Sequence, residues 1–226
     1  MFEPIMSNEG ESVKKFAIFD LDGTLLDSMY VWKDAGALFL RRKGLVAPEN
    51  LFEQLKEMSL EQSAAYLNQQ FQLSLSNAEI IEGIKAVVEK QYAVEVSLKP
   101  FVKEYIQHLK DCHIRLCIVT ASEYEHAEAA LKRLDILDCF DFILTCSQVG
   151  AGKDHPLIYQ RAAQIWGVKP QEVVVFEDAL HAIETAKAAG FFTVGVYDES
   201  AEADAEAIKR TADVYLKRFP EKLINF

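Results

Sequence analysis

The amino-acid sequence predicts an α/β protein with a doubly wound parallel sheet, into which an all-helical domain is inserted. Three observations predict this fold class. Short apolar segments recur along the chain, helical patterns alternate with the later segments, and the block from 29 to 98 carries helical patterns alone. Strands that alternate with helices form a parallel sheet that is covered by helices on both faces.

The predicted strands are apolar segments that are rich in β-branched or aromatic residues and too short for a helix. They are Phe16–Phe19, Ile114–Val119, Val173–Phe176 and Phe192–Val196, with Val214–Leu216 as a further candidate. In a Rossmann-like core of this kind, ligands bind beyond the carboxyl ends of the strands. The residues that follow each strand are therefore the first candidates for a functional site.

Capping signals locate three helices between the later strands. Ser122 and Glu125 have the spacing of a capping box, Pro156 predicts the first turn of a second helix that Gly167 ends, and a third helix ends at Gly190. The apolar faces of these helices are predicted to be Ala127, Ala130, Leu131 and Leu134; Ile158, Ala162 and Ile165; and Leu180, Ile183 and Ala186.

The inserted block is predicted to be a small helical domain. Its first helix ends near Gly44, and the pairs Ser59–Gln62 and Ser76–Glu79 have capping-box spacing. The predicted apolar faces are Met29, Trp32, Gly36 and Phe39 in the first helix, and Ile80, Ile81, Ile84, Val87 and Val88 in the last. We therefore expect two domains, a core of residues 1–28 and 99–226 and a helical domain of residues 29–98.

The composition excludes several classes of function. The chain has 226 residues, half of them apolar, and a formal charge of −11. A chain this acidic is a poor candidate for binding nucleic acid or an anionic membrane, because both require clustered positive charge. No apolar run approaches the length that spans a bilayer.

The first residues and the cysteines indicate a cytoplasmic protein. The first fifteen residues lack the apolar stretch of a secretory signal and are predicted to be a mostly disordered tail. The cysteines form no CxxC pair and have no histidine at metal-site spacing; they are Cys112, Cys117, Cys139 and Cys146. Cys117 lies in a predicted strand, where a buried thiol is expected. We expect all four to be reduced.

Polar residues follow three of the predicted strands. The first strand is followed by Asp20 and Asp22, the second by Thr120, Ala121 and Ser122, and the third by Glu177 and Asp178, while Lys153 lies in the glycine-flanked segment "GAGKDHP". Each residue also has an ordinary explanation as a turn residue, a helix cap or a solvated loop charge. Because the carboxyl ends of parallel strands share one edge, we expect them to meet.

Such a cluster favours phosphate chemistry assisted by a divalent cation. Two carboxylates about 4 Å apart repel by roughly 4 kcal/mol at an effective dielectric constant near 20. Oxygen ligands without histidine or cysteine suit Mg²⁺, which accepts a substrate phosphate as a further ligand. An ionised Asp20 is a competent nucleophile, and Asp22 can transfer protons beside it. Lys153 and Thr120 suit the charge and the oxygens of a phosphate. Gly23 permits the sharp turn that directs both aspartates to one point.

Four segments together resemble the haloacid dehalogenase superfamily of phosphohydrolases. "DLDGT", "VTAS", the lysine of "GAGK" and "FEDALHAIETAKAAG" occur in the order found in that family, and the resemblance covers Phe16 to about Asp198. The helical insertion resembles the cap domain of the subgroup that contains beta-phosphoglucomutases and phosphoglycolate phosphatases. The resemblance implies the following roles: Asp20 as nucleophile; Asp22 as acid and base; Thr120 and Lys153, with Ala121 and Ser122 as further candidates, in substrate binding; and Asp20, the Asp22 carbonyl, Asp178 and Glu177 around Mg²⁺.

The chain departs from the family patterns at positions that bear on function. Dehalogenase members lack the second aspartate, so Asp22 disfavours that chemistry. Mutase members carry a histidine where this chain has Trp32, and a glycine and a basic residue where it has Glu57 and Leu60. Many relatives have glycine where Phe101 stands. Without the histidine and the basic residue of the mutases, a second phosphate on the substrate would be poorly held.

We expect a Mg²⁺-dependent phosphatase that acts as a cytoplasmic monomer on a small phosphorylated metabolite, with no nucleic-acid or membrane partner. The alternatives are a sugar-phosphate mutase similar to beta-phosphoglucomutase, and a non-catalytic phosphate-binding module. Two hypotheses concern Trp32. Either it packs in the core of the helical domain with Met29 and Phe39, or its ring forms an apolar wall of the substrate pocket and faces Asp20 when the cap closes.

Overall fold

The computed structural model describes residues 14–55, 58 and 60–220, which divide into two compact units. One unit contains the described residues up to Asp27 and from Ser97 onward, and the other is Ser28–Val96. Apart from Lys14 and Lys15, the predicted N-terminal tail lies outside the described residues, and so does one predicted capping residue, Ser59.

The larger unit contains the predicted sheet. Its strands are β1 (Phe16–Phe19), β2 (Leu26–Asp27), β3 (Ser97–Leu98), β4 (Arg115–Thr120), β5 (Ile143–Thr145), β6 (Val173–Glu177), β7 (Phe192–Val196) and β8 (Val214–Leu216). Among the described residues, six strands form one parallel sheet in the order β5-β4-β1-β6-β7-β8, and β2 pairs with β3 antiparallel. The prediction of an α/β, Rossmann-like fold is confirmed.

The helices are numbered along the whole chain. The smaller unit contains α1 (Met29–Arg42), α2 (Leu51–Leu55), α3 (Leu60–Phe71) and α4 (Asn77–Val94), and the larger contains α5 (Val102–Asp111), α6 (Tyr124–Arg133), α7 (Cys146–Val149), α8 (Leu157–Trp166), α9 (Leu180–Ala188) and α10 (Ala205–Thr211). Gly167 ends α8 in the left-handed conformation, as its position predicts. Within the part of the chain that the structure describes, no helix has the length and apolar character needed to cross a membrane.

The core of the larger unit lies on both faces of the sheet. Successive side chains of a strand point to opposite faces. Ile18 of β1 joins a buried cluster with Tyr159 and other residues of α8. On the other face, Phe19 stacks on Phe176 with ring centroids 4.3 Å apart, and Tyr105 of α5 packs against Phe176. Helices therefore cover both faces, which leaves the strand ends as the accessible edge.

In the larger unit, one strand was missed and one predicted core position is wrong. Strand β5 was not predicted, because it has only three residues and Ile143 and Leu144 are only half-buried at the edge of the sheet. Ile165 does not belong to the buried face of α8, since its side chain is 49% exposed. The buried face of α8 instead includes Trp166, whose indole N–H donates to Asp141 at 2.8 Å.

Phe101 stands at a position that favours glycine. It precedes α5 with φ of +66°, in the left-handed region that residues with a Cβ adopt at a cost of about 1–2 kcal/mol. Its ring lies under the guanidinium of Arg218, with 5.5 Å between the guanidinium carbon and the ring centroid. This departure from the family pattern keeps the glycine-type backbone and adds a cation–π contact.

The predicted apolar face of α1 is wrong, because the buried face is shifted by one residue and shares only Phe39 with the prediction. The buried residues are Val31, Ala35, Phe39 and Leu40. Trp32 is 45% exposed, and its indole N–H donates to the hydroxyl of Tyr92 on α4 at 3.0 Å. The hypothesis that Trp32 packs in the helical core is therefore wrong.

Helix α4 confirms the predicted cap and most of the predicted apolar face. Ser76 and Glu79 form both hydrogen bonds of a capping box. The buried face is Ile80, Ile84, Val87, Val88, Gln91 and Tyr92, whereas Ile81 is only half-buried. Gly83 of α4 lets the ring of Phe39 approach closely, because a Cβ at this position would lie 2.4 Å from that ring.

Candidate active site

The neighbouring strands β1 and β6 bring three carboxylates to one edge of the sheet. Asp20 directly follows β1, Glu177 ends β6 and Asp178 follows it. The Asp20 N–H donates to the carbonyl of Phe176 at 2.9 Å, so the backbone ladder continues into the site. All three side chains are buried. The expectation that these residues meet at one edge is confirmed.

A tight turn after Asp20 keeps Asp22 beside it. Gly23 adopts φ of +83°, a left-handed conformation that glycine takes without steric cost. Its N–H donates to the carbonyl of Leu26 at 3.0 Å. The N–H of Leu25 donates to the carbonyl of Leu21, also at 3.0 Å. The predicted sharp turn is confirmed, and it holds Asp22 in a half-buried position at the same edge.

Lys153 links two of the carboxylates. Its ammonium is buried and donates to Asp20 Oδ1 and, at 2.5 Å, to Glu177 Oε1. Burial by itself lowers the pKa of Lys153, but the charges of Asp20 and Glu177 outweigh burial and raise this pKa above its ordinary value. Lys153 therefore stays charged and supplies a fixed positive charge next to Asp20.

The acidic cluster fits a hard divalent cation. Asp20, Glu177 and Asp178 each offer a carboxylate oxygen, and these oxygens lie within 4.8 Å of one another. Asp20 Oδ2 is buried without a hydrogen-bond partner among the described residues. The pKa of Asp178 is raised well above its ordinary value, mainly by burial and to a smaller extent by the charges of Asp20 and Glu177. One lysine does not balance three carboxylates, and an oxygen-only ligand set suits Mg²⁺.

Thr24 is a site residue that the sequence reasoning missed. Its buried hydroxyl donates to Asp178 Oδ1 at 3.2 Å, across 154 positions of the chain. Thr24 belongs to the segment "DLDGT", so the signal was the motif itself and not its spacing from Asp178. The bond holds one oxygen of Asp178 in place, as groups behind a metal ligand commonly do.

Ser122 contacts Asp22 and does not cap a helix, which corrects the predicted capping box with Glu125. The residue before α6 is Glu123, and no side chain caps this helix. The Ser122 hydroxyl instead donates to Asp22 Oδ2 at 2.6 Å, and the Ser122 N–H donates to Thr120 Oγ1 at 3.0 Å. The structure thus brings Ser122 into contact with Asp22 and joins Thr120 to Ser122, while the side chain of Ala121 is exposed in the same loop.

Tyr159 is a second residue that the sequence reasoning missed. Its hydroxyl donates to Glu177 Oε1 at 3.0 Å, the oxygen that also accepts from Lys153. Tyr159 lies on α8, six residues after Lys153, and its position in an apolar helical face gave no sign of this bond. The pKa of Tyr159 is raised, mainly by burial and to a smaller extent by the charges of Glu177 and Asp20. The hydroxyl therefore stays protonated and remains a donor.

Comparison with known proteins assigns the family. Residues 17–196 match the model of the family described as haloacid dehalogenase-like hydrolase. The chain belongs to this family. The match includes all the site residues named above, and it confirms the resemblance seen in the sequence.

Several relatives of this haloacid dehalogenase-like hydrolase are phosphatases by name. Validoxylamine A 7′-phosphate phosphatase of Streptomyces hygroscopicus is 31% identical over 92% of this chain and 95% of that protein. A phosphorylated carbohydrates phosphatase of Thermotoga maritima is 26% identical over 92% of this chain and 95% of that protein. A solved structure from Thermotoga maritima is described as a candidate beta-phosphoglucomutase. It is similar to this chain with a TM-score of 0.80 and 26% sequence identity, over 90% of this chain and 94% of that one.

Proposed function

We propose that this hydrolase is a Mg²⁺-dependent phosphatase that hydrolyses a phosphorylated carbohydrate through an aspartyl phosphate. The observation that carries the proposal is the environment of Asp20. One of its oxygens accepts from buried Lys153, and the other is buried without a hydrogen-bond partner among the described residues. A carboxylate held in this way beside a fixed cation suits nucleophilic attack on an anionic phosphate.

The residues that would hold Mg²⁺ are Asp20, Asp178, the backbone carbonyl of Asp22 and, as a further member of the shell, Glu177. The closeness of the three carboxylates supports this assignment. When bound, the ion would neutralise phosphate charge and orient the phosphate. Asp20 would serve both as ligand and as nucleophile, since one of its oxygens accepts from Lys153 and the other has no hydrogen-bond partner among the described residues.

In the first step, a carboxylate oxygen of Asp20 attacks phosphorus and the ester oxygen leaves. Lys153 offsets the negative charge of the transferring group, and Thr120 together with the N–H groups that begin α6 binds phosphate oxygens, with Ala121 and Ser122 lining the same loop. Asp22 gives a proton to the leaving oxygen. In the second step Asp22 takes a proton from the water that attacks phosphorus, the bond between phosphorus and the Asp20 oxygen breaks, and inorganic phosphate and free Asp20 are released.

The names of the relatives support a sugar or polyol phosphate as substrate, because two of them act by name on a phosphorylated carbohydrate or a related compound. We further propose that the chain acts as a cytoplasmic monomer on this small metabolite. All four cysteines lie in the described residues and are free, which supports a reducing compartment. The smaller helical unit is proposed to be the cap domain that selects the substrate.

The mutase alternative is favoured by the named function of the structural relative. It is disfavoured by the side chains at the two positions where mutases carry a histidine and a basic residue. These are the indole of Trp32 and the exposed apolar side chain of Leu60, whereas Glu57 lies outside the described residues. Neither residue adds a positive charge for a second phosphate.

A panel of phosphorylated sugars and polyols tests the proposed function, with inorganic phosphate and isomerised sugar phosphate measured in the same reaction. The phosphatase proposal expects stoichiometric phosphate release that requires Mg²⁺. Isomerisation with little net phosphate would establish the mutase instead. Binding of sugar phosphates with no turnover of any compound would establish a binding module.

A further inference from the structure

Tyr159 brings a polar group into an otherwise apolar cluster on one face of the sheet. Its side chain is fully buried among Ile18, Cys117 and other core residues, and its ring lies 6.1 Å from that of Phe191. A phenylalanine would fill the same space without requiring a hydrogen bond. The hydroxyl is satisfied by the carboxylate of Glu177.

Two donors meet at one oxygen of Glu177. Oε1 accepts from Lys153 at 2.5 Å and from Tyr159 at 3.0 Å, whereas Oε2 accepts no hydrogen bond from the residues described. Glu177 is itself buried and belongs to the acidic cluster with Asp20 and Asp178. The carboxylate is therefore fixed at Oε1, and Oε2 remains available to the cluster.

We propose that Tyr159 is a positioning residue that acts through Glu177 on the acidic cluster and on Lys153. By holding Oε1, its hydroxyl fixes the carboxylate plane, so that Oε2 serves the cation site and Lys153 stays between Glu177 and Asp20. Tyr159 would contact neither the substrate nor the ion. The inference rests on the proposed function, since it assigns a purpose to the geometry of the same site.

A purely structural role for Tyr159 makes a different prediction. If only the ring matters, Tyr159→Phe keeps the packing and leaves cation binding unchanged. If the hydroxyl positions Glu177, the same variant weakens cation binding while the fold stays intact, because groups behind a metal ligand commonly contribute 10-fold or more to affinity.

The experiment measures thermal unfolding against Mg²⁺ concentration, without substrate, for the wild type and Tyr159→Phe. We expect the Mg²⁺ concentration that gives half of the maximal stabilisation to rise by about 10-fold in the variant. The matched control is Tyr105→Phe, which also removes a buried tyrosine hydroxyl but lies on α5 against Phe176 and Phe219. This control should bind Mg²⁺ as the wild type does.

A second background tests whether the effect passes through Glu177. In a Glu177→Gln protein, adding Tyr159→Phe should change the Mg²⁺ dependence by less than about 2-fold, because the group that it positions is already altered. Equal Mg²⁺ curves for wild type and Tyr159→Phe would overturn the inference alone. A wild type with neither Mg²⁺ stabilisation nor phosphate release would overturn the proposed function, and this inference with it.

Discussion

The hydroxyl of Ser122 donates a hydrogen bond of 2.6 Å to Asp22 Oδ2, which joins the loop after β4 to the turn after β1. The serine thereby holds Oδ2 of Asp22, which lies two residues after Asp20. Ser122 is thus better explained as a partner of the proposed acid and base than as a phosphate ligand.

Ser122→Ala should slow turnover by about 10-fold, because an unheld carboxylate transfers protons less efficiently. Ser122→Thr keeps a hydroxyl and should retain most of the activity. Ser147→Ala, at an exposed serine on α7, controls for the loss of any hydroxyl. The measurement is kcat for phosphate release. A Ser122→Ala enzyme with unchanged kcat and a raised KM would instead support direct phosphate binding.

The sequence predicted the sheet and the edge of the site because both depend on local patterns. A buried strand is an apolar run, and the residue after it must lie at the carboxyl end of the sheet. Asp20 and Asp178 were found in this way, whereas Lys153 was found from its glycine-flanked segment before a predicted helix. Their convergence was an inference from topology, and the structure confirms it.

The misassigned residues have partners that no local pattern reveals. Ser122 and Glu125 have capping-box spacing, yet the serine bonds to a residue 100 positions away. Trp32, Gly36 and Phe39 share a helical spacing, but so do Val31, Ala35 and Phe39. Only the packing of the other helices of the unit decides which of them are buried. Hydrophobic periodicity likewise predicts that Tyr159 is buried but not that its hydroxyl bonds to Glu177, which lies 18 positions away.

Asp178→Ala should weaken the Mg²⁺ dependence of activity sharply, because a direct carboxylate ligand would be lost. We expect the Mg²⁺ concentration for half-maximal activity to rise by at least about 10-fold. In the wild type, a chelator should remove activity and Mg²⁺ should restore it, whereas Ca²⁺ should inhibit because its coordination is larger and looser. Full activity after exhaustive chelation would contradict the metal proposal.

Trp32→Ala should alter the order in which phosphorylated carbohydrates are hydrolysed and leave stability nearly unchanged. The side chain is 45% exposed, so its loss removes mainly the hydrogen bond and the ring contact to Tyr92, together worth about 1 kcal/mol. Trp32→Phe keeps an aromatic ring and serves as the matched control. The measurements are kcat/KM for each substrate and the free energy of unfolding. An unaltered substrate order would exclude Trp32 from substrate selection.

Asp213 gives stability a defined pH dependence. Burial by itself raises the pKa of Asp213, but the Thr193 N–H at 2.8 Å and the Lys187 ammonium at 2.9 Å outweigh burial and lower this pKa. A carboxylate with a lowered pKa stabilises the fold above its unfolded pKa, near 3.9, and this stabilisation is lost as the pH falls through the folded pKa.

Asp213→Asn should therefore lose about 1 kcal/mol of unfolding free energy at pH 7. The expected loss is this small because Lys187 is partly exposed and solvent screens its charge. The difference from the wild type should shrink as the pH falls below about 4. Urea unfolding at several pH values measures it. Asp138→Asn, at an exposed carboxylate, is the control and should follow the wild type throughout. A deficit that is constant with pH would show that the charge is irrelevant.

The assignment of Asp20 as nucleophile is tested most directly by the rate of phosphate release by Asp20→Asn in saturating Mg²⁺. The variant keeps the size of the side chain and an oxygen that can accept from Lys153, so circular dichroism should show an intact fold. We predict that the rate falls by at least about 1,000-fold, as expected when the attacking group is removed. Phosphate release at a rate near that of the wild type would contradict the aspartyl-phosphate mechanism.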